Sequence, residues 1–203
     1  MRDGDIAAAV RPFAGREVQR CSVARAEPRP PGDRAEMSDI LEVRERGRTL
    51  SFTFEDINRY HGGHSPAGVA VAFKAMQRGF PVISPGGPPE RRAIVVRTAF
   101  RGPGARDGFE AVMRGVTDAG YVVDRSLIRS DRGRLLEDFV FVIEYGDRTV
   151  TLLLRDGFVT DEFIDLARAE NRTESQEDRL DCLKAQLAQH VMSVPATEVF
   201  ELG

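Results

Sequence analysis

Hydrophobic residues recur at helical or strand spacing from about residue 41 to the end of the chain. Apolar residues at helical spacing predict helices over about 65–79 and 107–119, each followed or closed by a glycine. Runs of β-branched or alternating apolar residues predict four strands, at 93–100, 121–128, 135–144 and 148–154. The last two flank the tight turn Tyr145-Gly146-Asp147 and form a predicted hairpin. The fold class is therefore α+β, a helix-strand-helix-three-strand core with a mixed sheet.

The flanks of this core carry weaker patterns. Residues 41–54 alternate in part, which predicts a short hairpin or an edge strand, and 54–60 could equally begin a short helix. Towards the end, 161–169 predicts a short helix and 173–191 a longer one, with Thr173 and Gln176 as a capping box. One apolar stripe of the longer helix indicates core packing or a dimer face: Leu180, Leu183, Leu187 and Val191. Residues 197–202 predict a short edge strand.

The first 36 residues differ from the rest in composition. Seven arginines alternate with acids and alanines, and three prolines (Pro28, Pro30 and Pro31) break any helix, so 1–36 predicts a disordered leader. The regular pattern opens at Met37, which is a hypothesis for the natural start. We divide the remainder into an α+β core at 37–160 and a C-terminal helical extension with a final strand at 161–203, both in one domain.

The bulk composition excludes several classes of protein. A formal net charge of −3 gives no basic surface for nucleic acid. No apolar run approaches the roughly 18 residues that cross a bilayer, so we predict no membrane partner. Cys21 and Cys182 form no Cys-x-x-Cys pair, which argues against a cysteine-rich zinc module. The expected location is the cytoplasm.

Two of the three histidines lie in the stretch His61-Gly62-Gly63-His64-Ser65-Pro66, just before the first core helix. Two imidazoles beside a glycine hinge and a helix N-terminus suit a divalent metal or an anion. The alternative is that both rings only fix a loop against the helix. Ser65 is the expected N-cap; as a nucleophile it lacks the Gly-x-Ser-x-Gly elbow and a third orienting group.

A second candidate site is the loop Gly102-Pro103-Gly104, which leads into the second core helix and is flanked by Arg97, Arg101 and Arg106. Free N–H groups at a helix start favour a carboxylate or phosphate, which an arginine would pair with. The alternative is a tight turn with solvated arginines and Asp107 as the N-cap. The loop lacks the lysine and spacing of a nucleotide P-loop.

Over about residues 52–202, the motifs and their order along the chain resemble those of the formylmethanofuran dehydrogenase E subunit and its stand-alone relatives. The run 61–68 stands where that family has His-Gly-His-x-Cys-Pro-Gly, and His64 matches the second histidine. Gly115-Val116-Thr117 resembles the family's Gly-Cys-Thr, and 195–200 its closing Pro-x-Glu-Glu-Leu-Phe. The resemblance implies an α+β domain of the type found in the catalytic domain of glyceraldehyde-3-phosphate dehydrogenase, and a metal site that uses histidine and cysteine.

Both cysteines of that family are missing from this sequence. The cysteine of the histidine motif falls on Ser65 or Pro66, and the cysteine of Gly-Cys-Thr falls on Val116. A metal, with zinc as the first choice, would then be held by His61 and His64 in a weaker site. We expect a homodimer in which the His61/His64 loop and the 102–107 loop form opposite walls of a small-molecule cleft linked to C1 or redox metabolism.

In this cleft His64 is the ligand or acid/base residue. A small anionic molecule would meet the remaining candidates: Ser65, Arg97, Arg101, Arg106, Asp107 and Thr117. Whether the protein is an enzyme stays open, and the alternative is a non-catalytic accessory or binding protein that has lost the metal site.

Overall fold

Two sheets and six helices occupy residues 40–203, the part of the chain that the computed structural model describes. The predicted leader at 1–36 and the proposed start at Met37 lie outside the described residues. The elements in chain order are β1 (Ile40–Glu45), β2 (Arg48–Thr53), α1 (Phe54–His61), α2 (Pro66–Ile83), β3 (Ile94–Thr98), α3 (Pro103–Met113), β4 (Tyr121–Val123), β5 (Val140–Tyr145), β6 (Arg148–Leu154), α4 (Asp161–Arg168), α5 (Glu174–Met192), α6 (Ala196–Val199) and β7 (Phe200–Leu202).

The larger sheet has the strand order β4-β3-β5-β6-β7. Strand β3 runs parallel to β4 and antiparallel to β5, and the remaining pairs are antiparallel, so the sheet is mixed. This confirms the predicted α+β class, with the C-terminal helix and the edge strand β7. Strands β1 and β2 form a separate hairpin, and α1 follows β2 directly, so both predictions for 41–60 are realised in succession.

Helix α2 is the centre of the core. All ten residues from Ala67 to Met76 are buried, because α2 packs on the sheet and against α3 and α5. A helix that is apolar on every side is stable only when it is covered on every side. Phe141 and Phe200 meet edge to face at 5.8 Å between ring centroids, and one hydrophobic cluster includes residues from both 37–160 and 161–203.

Helix α2 was predicted to end at Gly79, but it continues to Ile83 through Gly79 and Pro81. A Cβ on Gly79 would lie 2.7 Å from Ile143 Cδ1, so this glycine permits close packing of α2 on β5. Burial of Phe80 and Ile83 stabilises the last turn, and it offsets the hydrogen bond that Pro81 cannot donate.

The bounds of α3 also differ from the prediction. The helix begins at Pro103, four residues before Asp107, and it ends at Met113, so Asp107 is not the N-cap. Proline suits the first helical position, since its fixed φ matches a helix and no N–H is needed there. At the other end Arg114 adopts φ 60°. The N–H groups of Val116 and Thr117 then donate to the Glu110 side chain instead of to helix carbonyls.

Strands β3, β4, β5 and β7 are shorter than the sequence predicts, whereas β6 is not. Strand β4 stops at Val123, because the Asp124 carboxylate accepts the Ser126 N–H and begins a 3₁₀ turn. Strand β5 starts at Val140 rather than 135, and β7 holds only Phe200–Leu202. The Thr173 capping box and the predicted buried stripe of α5 are confirmed. Between residues 40 and 203 no helix is long and apolar enough to span a bilayer.

Candidate functional site

The turn between α1 and α2 is built on two glycines. Gly62 and Gly63 have φ of 85° and 77°, a left-handed conformation that strains most other residues. Their N–H groups bind the carbonyls of Arg59 and Asn58, which closes α1. The chain then reverses so that the ring of His64 lies on the ring of His61, with 4.1 Å between centroids and 35° between planes.

His61 forms the shortest polar contact of the site. It is the last residue of α1, its side chain is fully buried, and its Nδ1 lies 2.7 Å from Asp107 Oδ2 in the second turn of α3. Burial disfavours the charged form of Asp107, but hydrogen bonds from His61 and Arg106 outweigh it and lower the pKa of the carboxyl group. An ionised carboxylate only accepts, so Nδ1 of His61 carries the proton and donates.

The other ring nitrogen of His61 is left without a partner. Nε2 is buried and has no hydrogen bond within residues 40–203. Buried polar atoms are nearly always paired, so an unpaired one marks a place where a bound group would fit. With Nδ1–H fixed on Asp107, neutral His61 presents a lone pair at Nε2, and the imidazolium presents an N–H there. This atom can accept a proton or donate one.

The first turns of α2 and α3 touch beside this pair. A Cβ on Gly104 would lie 2.5 Å from Ser65 O, and one on Gly68 would lie 2.8 Å from Ala105 N. The N-cap residues Ser65 and Gly102 make no side-chain cap, and neither first turn contains an acidic residue. Two uncapped N-termini without acidic residues in their first turns contribute positive potential here, which favours an anion beside them.

The structure brings together four of the residues predicted for the site: His61, His64, Arg106 and Asp107. Ser65 occupies the N-cap position of α2, without the side-chain bond expected of it. Arg106 is half exposed and lies 2.9 Å from Asp107 through Nη2. Arg101 is exposed, and no ion pair of it is present in the described part of the chain.

The remaining two predicted residues are engaged elsewhere. Arg97 lies on β3 and pairs with Glu144 at 2.9 Å and with Asp124 at 3.6 Å. The Thr117 hydroxyl donates to Glu110 Oε1 at 2.5 Å, past the C-terminal end of α3. Both side chains therefore stabilise the frame of the domain, and neither is available to an anion near His61 in this arrangement.

Sequence reasoning missed Glu110 and the small-residue contact between the helices. Glu110 also accepts the N–H groups of Val116 and Thr117, at 2.7 and 2.9 Å. Burial opposes its ionisation, but these hydrogen bonds lower its pKa. Only the spacing Gly104-x-x-x-Gly108 hinted at the close approach of α3 to α2, where a Cβ on Gly108 would lie 2.9 Å from that of Ala72.

A zinc ion held by protein ligands alone does not fit these residues. Nε2 of His61 could supply one ligand and the exposed His64 a second, while Asp107 is already bound to Nδ1 of His61. In residues 40–203 no three histidine, cysteine, aspartate or glutamate side chains are arranged to hold a metal. Zinc sites normally have three or four protein ligands, so the two imidazoles fall short of such a set.

No protein-family model matches the sequence, and no curated protein is significantly similar to it. The relation to the formylmethanofuran dehydrogenase E subunit therefore depends on the motifs alone. The geometry of His61, His64 and Asp107 is the independent ground for a functional site.

Proposed function

We propose that this protein is a divergent relative of the formylmethanofuran dehydrogenase E subunit and that it binds a small anionic molecule beside His61, His64 and the start of α3. One observation supports this more than any other. A fully buried histidine is oriented by Asp107, and its second nitrogen has no partner among residues 40–203. A purely structural histidine is expected to use both nitrogens when it is buried.

The ligand class follows from the charges around that nitrogen. Asp107 holds the ring so that Nε2 faces away from the carboxylate, and an N–H at Nε2 would donate to a carboxylate or phosphate. Arg106 and the uncapped starts of α2 and α3 add positive potential. His64 is exposed and stacked on His61, so it would meet the ligand from the solvent side.

If the protein is an enzyme, the chemistry available is proton transfer. His61 would hold or release a proton at Nε2, and Asp107 would keep the ring in one orientation and tautomer. His64 was the predicted acid/base residue; the contact to Asp107 favours His61 for that role. The link to C1 or redox metabolism and the homodimer belong to the same proposal and rest on the resemblance. The cytoplasmic location is also part of the proposal and rests on the composition of the chain.

A second candidate function is a non-catalytic accessory or binding protein. The missing cysteines support it, since Ser65 or Pro66 and Val116 stand in their places. The lack of a third metal ligand in the described part of the chain points the same way.

The test is calorimetric titration of the 203-residue protein with inorganic phosphate and with succinate. His61→Asn retains a donor near the position of Nδ1 and removes Nε2, while His64→Ala removes the stacked ring. His190→Asn is the matched control, because His190 lies on α5 against Phe158. We expect one of the two anions to bind, about tenfold weaker binding in His61→Asn, and no change in His190→Asn.

Zinc analysis of protein purified without an affinity tag separates the two candidates. Stoichiometric zinc that is lost in His64→Ala would overturn the accessory function. If folded wild-type protein binds neither anion, or if both site variants bind like wild type, the proposed anion site is wrong.

A further inference from the structure

A cavity lies away from His61, on the other half of α2. It has a volume of about 940 Å³ and lies between α2, the start of β1, the loop after α2 and the segment before α6. Cavities of this size are typical of sites for small organic ligands. None of the residues assigned to the His61 site lines it.

The wall of this cavity is mostly apolar. Its hydrophobic lining includes Leu41, Met76, Phe80, Pro81, Pro85 and Pro195. Prolines and large side chains of this kind offer carbon surface without hydrogen-bond donors. Such a wall favours an aliphatic or aromatic body over a sugar or a nucleotide.

Arg78 is the unusual polar residue of the cavity. Nearly every other half-buried or buried arginine between residues 40 and 203 is held by a carboxylate, as Arg91 is by Glu45 and Arg132 by Glu201. Arg78 is half-buried, makes no ion pair in that part of the chain, and has a buried Nε without a hydrogen-bond acceptor. A guanidinium is charged at every physiological pH, so an unpaired one in a partly buried place is costly.

Lys74 adds a second cation one helical turn away. It lies four residues before Arg78, on the same face of α2, and only 2% of it is exposed. Lys74 has an interaction partner of its own, and the cavity wall contains one carboxylate, that of Glu42. Arg78 is therefore the cation of this wall that is left for a bound acidic group.

We propose that this cavity binds an apolar molecule with a single acidic head group, a carboxylate or a phosphate, and that Arg78 pairs with the head group. The apolar body lies against the prolines of the wall, such as Pro81 and Pro85. The head group supplies the acceptor that Arg78 Nε lacks, and the guanidinium offers a two-pronged contact to either oxyanion.

The experiment is titration of the 203-residue protein with dodecanoate and dodecyl phosphate below their micelle concentrations, and with dodecanol below its solubility limit. We expect saturable binding of dodecanoate or dodecyl phosphate, and binding of dodecanol at least about tenfold weaker. Arg78→Gln should weaken binding of the acidic ligand about tenfold or more. Arg148→Gln is the matched control, since Arg148 is exposed and lies outside the cavity.

Circular dichroism and thermal melting establish that Arg78→Gln is folded. A second variant, Pro85→Ser, tests the apolar wall without touching the charge and should weaken all three ligands together. The proposal is overturned if neither acidic ligand binds, if dodecanol binds as tightly as dodecanoate, or if folded Arg78→Gln binds like Arg148→Gln.

Discussion

Replacement of Gly104 by alanine tests the contact between α2 and α3 beside the proposed anion site. The added Cβ would lie 2.5 Å from Ser65 O, 3.0 Å from Val69 N and 3.1 Å from Gly68 Cα. All three are backbone atoms, so no side chain can rotate away. Helices α2 and α3 must move apart at their first turns.

The expected size of the effect combines two opposing terms. Overpacking in a close-packed interior costs about 1–3 kcal/mol, and the rigid backbone neighbours place Gly104 in the upper half of that range. Alanine favours a helix over glycine by about 1 kcal/mol. The net loss is therefore about 1–2 kcal/mol, which corresponds to a drop in Tm of roughly 2–8 °C for a chain of this size.

Urea denaturation followed by circular dichroism measures this loss. Gly86→Ala is the control, because a Cβ on Gly86 meets no atom within 4 Å and its φ is not positive. That variant should be as stable as wild type or slightly more stable. If Gly104→Ala is no less stable than Gly86→Ala, the two helices do not touch here, and the convergence of their N-termini is refuted.

Two further predictions concern the carboxylates of α3. Asp107→Asn should destabilise the protein above about pH 4, because a lowered folded-state pKa stabilises the native state only while the carboxyl group is ionised. The deficit relative to wild type should shrink as the pH falls from about 4 through the lowered folded pKa of Asp107. Urea denaturation from about pH 7 to about pH 2 measures it, and a deficit that stays constant over this range would contradict the ionised pair. Glu110→Ala removes the acceptor of three hydrogen bonds and should cost about 2 kcal/mol. Thr117→Val, which loses only the hydroxyl contact, should cost less, and equal losses in urea denaturation would mean that the two backbone contacts contribute nothing.

Local signals in the sequence were sufficient where an element is defined by its own residues. Strand β6 has the predicted bounds, because alternating apolar residues follow a tight turn whose Gly146 adopts φ 60°. The N-terminus of α5 was predicted from Thr173 and Gln176, which are three positions apart. The side-chain oxygen of each accepts a hydrogen bond from the backbone N–H of the other. Signals of this kind act over one turn of chain, so they are visible without the fold.

The ends of α2 and α3 depended on contacts that the sequence does not display. Gly79 and Pro81 are residues that usually end a helix. Helix α2 nevertheless continues to Ile83, because Phe80 and Ile83 are buried in the core. Helix α3 ends at Met113, earlier than predicted, because the Glu110 carboxylate binds the N–H groups of Val116 and Thr117. In both cases tertiary packing or a side-chain contact outweighs propensities of about 1 kcal/mol.

The candidate site likewise combines features that neighbouring residues predict with a contact that depends on the packing of the helices. The class of fold, the glycine hinge and the pair of histidines could be predicted, since each depends on residues that are near one another in the chain. That Asp107 holds His61 and not His64 follows from the packing of the helices, because His61 and Asp107 are separated by 46 positions. Hydrogen bonding of a buried imidazole depends on which helix packs against it, and that packing is set by the glycines of α2 and α3 rather than by the histidine motif.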